Sequence, residues 1–174
     1  MHPNTKLIYR ANDMVMRIHS DALYLLDTNA RSREGGLFFL VLNKYNDTAK
    51  INGAILTPTV IPKNAMSLAV EAEVSAIFHN AQEAETIRTT LEEMNIPQPS
   101  TSIQTDKSTA DGISNGTVQR KRSKSMEIRF HWVRDRVQQK HFNIFWKPEA
   151  INYSDYMTKH PPYHYHRKMI PVYL

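Results

Sequence analysis

Hydrophobic positions change their spacing once along the chain. Over the first third they come in strand-like runs. Met14, Met16 and Ile18, then Leu23, Leu25 and Leu26, mark residues 14–26 as one strand. "GLFFLVLN" (36–43) is a continuous apolar run of buried-strand length. "GAILTPTVI" (53–61) is rich in β-branched residues, and Pro58 assigns it to an edge or a bulge. The stretch "NKYNDTAKIN" between the second and third runs has hairpin-turn composition. The three runs predict an antiparallel meander.

After that the period lengthens. "NAMSLAVEAEVSAIFHNAQEAETIRTTLEEM" (64–94) carries good helix formers, with Met66, Val70, Val74, Ile77 and Ala81 on one stripe. Asn64 or Ser67 could cap it, and its length allows one helix or two. A short Pro/Ser connection (95–102) leads to the strand "SIQTD", a short helix in "STADGISNG" and a basic loop, "VQRKRSKS". Residues 126–140 are helical, with Ile128, Trp132 and Val133 on one side. "HFNIFW" alternates as a strand until Pro148, and "EAINYSDYMTK" predicts a last short helix. The tail "HPPYHYHRKMIPVYL" shows no periodicity. Hairpins followed by β/α alternation predict an α/β fold, a five-stranded mixed sheet flanked by helices.

The chain has 174 residues, the size of one domain. Residues 1–174 are therefore expected to form a single domain, with a core of about 14–162, a flexible or irregular N-terminus and an irregular tail. No apolar run is long enough to cross a membrane, and the first residues lack the apolar stretch of a secretory signal. Cysteine is absent, which excludes disulfides, thiolate zinc sites and cysteine nucleophiles. These features fit an intracellular location, cytoplasmic or nuclear. A net charge of +5 favours polyanionic partners, nucleic acid above all.

One residue breaks the pattern. Asp21 sits in the middle of an apolar strand, where a carboxylate costs several kcal/mol unless something pairs with it. Asp106 ends the fourth predicted strand, Glu71 and Glu73 lie near the start of the long helix, and Asp155 opens the last one. If the first and fourth strands are neighbours, Asp21 and Asp106 lie side by side, and two carboxylates at close range call for a cation. Oxygen donors from separate elements, with no cysteine and no paired-His motif, suit Mg2+ or Mn2+.

The stretches "HSDALYL" (19–25), "RSREGGLFFL" (31–40), "EAEVSAIFHNAQEA" (71–84), "QTDKSTADGISNGT" (104–117), "KRSKSMEIRFHWVRDRV" (121–137) and "FWKPEAINYSDYMTKHPP" (145–162), taken in order, carry a resemblance. The sequence resembles the ribonuclease H domain of copia-type LTR retrotransposon polyproteins. The resemblance implies an Asp-Glu-Asp-Asp active site and places it on Asp21, Glu73, Asp106 and Asp155. Helical phase does not separate Glu71 from Glu73. It also implies two Mg2+ ions, with Mn2+ as a substitute, and hydrolysis of the RNA strand of an RNA–DNA hybrid. A reverse transcriptase domain encoded elsewhere is an implied partner. Lys107 follows Asp106 where the family usually has Asn, so its ammonium either competes for that carboxylate or faces solvent. The alternatives to an active enzyme are a catalytically inactive remnant that binds nucleic acid, or another nuclease of the same fold.

Arg120, Lys121, Arg122 and Lys124 form the densest basic run, a candidate phosphate-contacting patch, with a solvated loop or an import signal as the competing assignments. Trp132 and Trp146 are expected in the core rather than stacked on nucleotides. His160, His164 and His166 are expected as surface residues. The glycosylation sequon at 115–117 is set aside for want of a signal peptide.

Overall fold

The computed structural model describes residues 6–27, 31–43, 52–63, 66, 68–115 and 124–173. In chain order its elements are β1 (Val15–Asp27), β2 (Arg31–Val41), β3 (Ala54–Leu56), β4 (Thr59–Val60), α1 (Ala69–Glu93), β5 (Thr101–Thr105), α2 (Ser108–Ser114), α3 (Lys124–Gln138), β6 (Phe142–Trp146), a 3₁₀ turn (Glu149–Ile151), α4 (Asp155–Thr158) and α5 (Tyr163–Tyr173). The strands form one mixed sheet in the order β3-β2-β1-β5-β6, with β4 also on β2. β1 pairs antiparallel with β2 and parallel with β5, and β5 pairs parallel with β6.

The expected third strand is two strands, so the described sheet has six strands rather than five. Proline has no N–H for the ladder, and the break falls at Pro58, whose carbonyl still accepts the Gly36 N–H at 3.0 Å. β2 begins earlier than its apolar run, because the polar residues Arg31 to Gly35 continue the pairing with β1. The β1–β2 register shifts between Leu23 and Asp27, where Leu25 adopts φ 52°.

Helix α1 is a single helix, and it follows Leu68, which makes no side-chain cap. The two expected caps, Asn64 and Ser67, lie outside the described residues. It closes at Asn95, in the left-handed region at φ 64°, with the Asn95 N–H on the Glu92 carbonyl and the Ile96 N–H on the Leu91 carbonyl, both at 2.9 Å. That pair of bonds satisfies carbonyls that the last turn would otherwise orphan.

One face of the sheet, through Met16, Ile18, Phe38, Ile103 and Ile144, packs on Val74, Ile77, Ala81 and Ala84 of α1 and on Phe130 and Val133 of α3. Small residues along α1 let it lie close to the strands. The other face, through Val15, Leu37, Phe39 and Val41, is met by Tyr153, Met157 and Tyr173. The tail is therefore not irregular throughout: α5 starts after Pro162, whose carbonyl accepts the Tyr165 and His166 N–H groups. Tyr, His and Met carry much of its packing, with Tyr173 hydrogen-bonded to the Tyr153 carbonyl, His166 stacked on Tyr156 and Met169 buried. An aliphatic periodicity search does not detect such a helix. The N-terminal segment is irregular but tied down, with Gly53 N–H on the Ile8 carbonyl at 3.0 Å and Tyr9 Oη on the Ala54 carbonyl at 2.9 Å.

Candidate active site

Three elements converge at one place. β1 carries Asp21 in its interior, α1 brings Glu73 from its first turns, and Asp106 follows the last residue of β5. Because β1 and β5 are paired neighbours, Asp21 and Asp106 fall side by side. One oxygen from each of Asp21, Glu73 and Asp106 lies within 4.8 Å of the others, and among the described residues these three form the group able to hold a metal ion. Glu71, also buried, is not in that group.

The cluster is under electrostatic strain. Burial pushes the Glu73 carboxyl up to about 9, and the charges of Asp21 and Asp106 add to this, against the opposing pull of Lys107 and the Ala22 backbone N–H. Burial also pushes Asp21 up to about 6; the Thr158 hydroxyl opposes the shift, while Asp106 and Asp155 reinforce it. Glu73 Oε2 and Asp106 Oδ1 are buried without a hydrogen-bond partner among the described residues. Buried carboxylate oxygens are costly when left so. An all-oxygen donor set with orphaned oxygens fits a hard divalent cation.

Asp155 opens α4 beside the trio rather than within it. Its charge acts on Asp21, and its Oδ1 pairs with Lys159 Nζ. The same helix contributes Thr158, fully buried, whose hydroxyl donates to Asp21 Oδ2. A Cβ on Gly35, the register partner of Asp21, would come within 2.7 Å of Thr158 Cγ2, so a glycine there lets α4 approach β2. On the opposite face, a Cβ on Gly36 would overlap Asn80 Oδ1. Asn80 itself donates to Ser20 Oγ at 2.9 Å and to the Gly35 carbonyl at 3.0 Å.

The segment before α4 is clamped to β1. Asn152 donates to the Ser20 carbonyl at 2.8 Å and accepts from Ser154 Oγ at 2.6 Å. The Tyr153 N–H donates to His19 Nδ1 at 3.1 Å, and the two rings stack at 5.4 Å. Burial, then Lys147, pushes His19 down to about 3, so it is a neutral imidazole with its proton on Nε2.

Lys107 is half exposed, yet its ammonium turns back on the cluster. Its Nζ lies 3.2 Å from Asp106 Oδ2. Burial works against the ammonium, but the attraction of Asp106, then Glu73 and Asp21, outweighs it and raises its pKa. Trp146 is not in the core either: it is 46% exposed and donates its indole N–H to the Asp106 carbonyl at 2.9 Å. Being the last residue of β6, it emerges where the buried run ends. Trp132 is partly buried, edge-on to Phe78 at 5.4 Å. His160 and His164 are exposed, and His160 Nε2 approaches Arg33 Nη1 at 3.5 Å; His166 is half-buried, stacked on Tyr156. Arg120, Lys121 and Arg122 lie outside the described residues, and Lys124 is described only as the first residue of α3.

Sequence reasoning missed Thr158, Asn152, His19 and the placement of Trp146. Thr158 and Asn152 stood inside a stretch that carried the resemblance, but a neutral side chain bonding a carboxylate or a carbonyl has no spacing signal.

No protein-family model matches the chain. Its fold is that of known ribonucleases H. It superimposes on the N-terminal ribonuclease H domain of a Mycobacterium tuberculosis protein with a TM-score of 0.60 at 13% identity, over 83% of this chain and 91% of that one. It superimposes on a ribonuclease H1 isolated from compost by a metagenomic approach with a TM-score of 0.57 at 11% identity, over 81% and 90%. The same compost enzyme in complex with an RNA/DNA hybrid gives a TM-score of 0.56 at 11% identity, over 80% and 91%. By fold, the chain is a ribonuclease H-like domain. In sequence it is similar to the retrovirus-related Pol polyprotein of transposon TNT 1-94 from Nicotiana tabacum, 22% identical over 156 residues that make up 90% of this chain and 11% of that polyprotein. Fold and sequence thus point the same way: the fold is ribonuclease H-like, and the sequence is similar to one part of a retrotransposon polyprotein.

Proposed function

We propose that the whole chain is a single domain acting as a metal-dependent endonuclease on the RNA strand of RNA–DNA hybrids, and that it derives from a copia-type polyprotein. The observation that carries this is the trio of buried carboxylates converging within 4.8 Å, with oxygens of Glu73 and Asp106 left without hydrogen-bond partners among the described residues. On this proposal Asp21, Glu73 and Asp106 hold Mg2+, or Mn2+ in its place, and Asp155 completes the set from α4. Divalent cations bound there would supply a water of lowered pKa and charge to stabilise the leaving 3′ oxygen.

The chain's own groups prepare that chemistry. The Thr158 hydroxyl fixes the rotamer of Asp21 by occupying Oδ2. Trp146 holds the Asp106 backbone. The clamp of Asn152 and His19 on residues 152–154 sets where α4 begins, and with it Asp155. Arg120, Lys121, Arg122 and Lys124 are proposed to bind hybrid phosphates irrespective of sequence. Selection for RNA would come from 2′-hydroxyl contacts across the wide, shallow minor groove. The hybrid-bound compost enzyme supports that substrate. A reverse transcriptase domain as the source of hybrid follows from the similarity to a Pol polyprotein.

The test is cleavage of an end-labelled hybrid with Mg2+ and with chelator, beside duplex DNA of the same sequence. Magnesium-dependent cuts confined to the RNA strand are expected. Cuts in duplex DNA alone would reassign the substrate. A second proposal, a domain that binds hybrid without turning it over, is favoured by the Lys107 ammonium standing on Asp106. It predicts retention of the hybrid and no cuts at any Mg2+ concentration.

A further inference from the structure

The carboxylate trio already has one cation beside it. Lys107 Nζ lies 3.2 Å from Asp106 Oδ2, while Asp106 Oδ1 and Glu73 Oε2 have no hydrogen-bond partner among the described residues. The backbone explains how a neighbouring residue reaches back. β5 ends at Thr105, so the alternation of strand side chains no longer governs Lys107. The Lys107 N–H donates to Thr105 Oγ1 at 3.3 Å, a local turn that carries the lysine stem round to the preceding carboxylate. The arrangement is also reversible. The Lys107 side chain is 48% exposed, against 2% for Asp106, and a four-carbon stem can carry its ammonium out to water without disturbing the fold.

We propose that Lys107 is a built-in counterion of the carboxylate cluster, which stands in part of the divalent-cation position and must leave Asp106 before a divalent cation can bind there. The inference rests on the metal-centre reading of the trio given above. An ammonium at hydrogen-bond distance and a divalent ion at its shorter bond distance, in near-octahedral geometry, compete for one carboxylate oxygen. Two positive charges over one carboxylate also repel. Lys107 therefore lowers cation affinity while it compensates the metal-free cluster. Lys159 on Asp155 is a separate pair on an acid outside the trio.

The experiment is calorimetric titration with Mn2+ in the absence of nucleic acid, on the wild type, Lys107→Asn and Lys107→Gln. Lys140→Asn is the charge control. Lys140 lies just before β6, whose first residue pairs with Thr101, so it is at the opposite end of β5 from Asp106. Both Lys107 variants should bind Mn2+ about tenfold more tightly, and Lys140→Asn should match the wild type. Thermal unfolding in chelator supplies the second readout. The Lys107 variants should unfold at lower temperature than the wild type without metal and show a larger rise with Mn2+. Equal midpoints in the wild type and the Lys107 variants, or weaker binding in the variants, would overturn the inference and leave the metal centre standing. No Mn2+ binding by any form would overturn both.

Discussion

Helix α1 buries a charge-bearing side chain near each end, and the two are treated in opposite ways. Near its C-terminal end, Arg88 is fully engaged. Its guanidinium donates to the Pro99 carbonyl at 2.6 Å, Thr101 Oγ1 at 2.8 Å, the Gln98 carbonyl at 3.1 Å and Glu92 at 3.2 Å. Gln98 in turn bonds both the N–H of Met16 and the carbonyl of Met14, so one arginine anchors the loop before β5 to the start of β1. Near the N-terminal end, Glu73 keeps a buried oxygen without a hydrogen-bond partner among the described residues and is pushed up to about 9. The desolvation of Arg88 is offset by directed hydrogen bonds. That of Glu73 is offset only in part, by the Ala22 N–H and the pull of Lys107, and a cation supplied from outside would offset more of it. One end of the helix serves stability, and the other sacrifices some of it to hold a site open.

The sharpest way to break this contrast is to neutralise one member of the cluster. Asp21→Asn should lower hybrid cleavage by about a thousandfold or more, roughly 4 kcal/mol of transition-state stabilisation. In chelator the variant should be as stable as the wild type or more so, because repulsion within the trio is relieved. Initial rates and urea unfolding check the two halves. A loss of several kcal/mol without metal would mark Asp21 as a structural residue.

At the other end of α1 the expected signs reverse. Arg88→Ala should cost about 3 kcal/mol in urea unfolding, because two part-buried carbonyl bonds and a buried bond to the Thr101 hydroxyl are lost. Its Mn2+ affinity should stay within about twofold of the wild type. A stability change under about 0.5 kcal/mol would remove Arg88 from the comparison.

Glu73→Gln should stabilise the metal-free protein by a pH-dependent amount. The glutamate is raised from an ordinary value near 4.5 to about 9 on folding, so the native state binds more protons than the unfolded state between those limits. Stability from this group is fully present below about 4.5 and is lost as pH rises toward 9. Glutamine escapes that loss. The two proteins should have similar stability near pH 4, and the variant should lead by on the order of 1–3 kcal/mol at neutral pH. A gap that does not change with pH would contradict the strain assigned to Glu73. The same protonation opposes metal binding, so Mn2+ affinity of the wild type should rise over the same interval.

The smallest effect belongs to the basic run. Neutralising Arg120, Lys121, Arg122 and Lys124 together should weaken hybrid binding equally across sequences and flatten the dependence of log affinity on log salt by up to about 3 to 4 units. An unchanged slope would exclude these residues as phosphate contacts.

The strands and the long helix were legible because their apolar periods are regular, and Asp21 was legible because it violates one of them. Asp106 stood out as the acid ending a short predicted strand, beside Asp21 if the two strands were neighbours. What escaped the sequence was of two kinds. The helix α5 is assembled from Tyr, His and Met contacts, a pattern without aliphatic spacing. The supports of the site, Thr158, Asn152 and His19, act through single hydrogen bonds between residues more than 130 positions apart, which only the folded chain brings together. Trp146 misled for a related reason: a tryptophan closing an alternating strand looks buried, yet the strand ends at the open side of the sheet. Which Glu of 71 and 73 joins the cluster depended on the azimuth of α1 over β1, and helical phase alone does not set it.

The most direct test is the anomalous diffraction of Mn2+ in crystals of the Asp21→Asn variant and of the wild type, each with an RNA–DNA hybrid bound. The account predicts anomalous peaks bounded by Asp21, Glu73 and Asp106 in the wild type, beside the RNA strand, and their loss or weakening in the variant. A wild-type complex at millimolar Mn2+ with no peak among these carboxylates would contradict it.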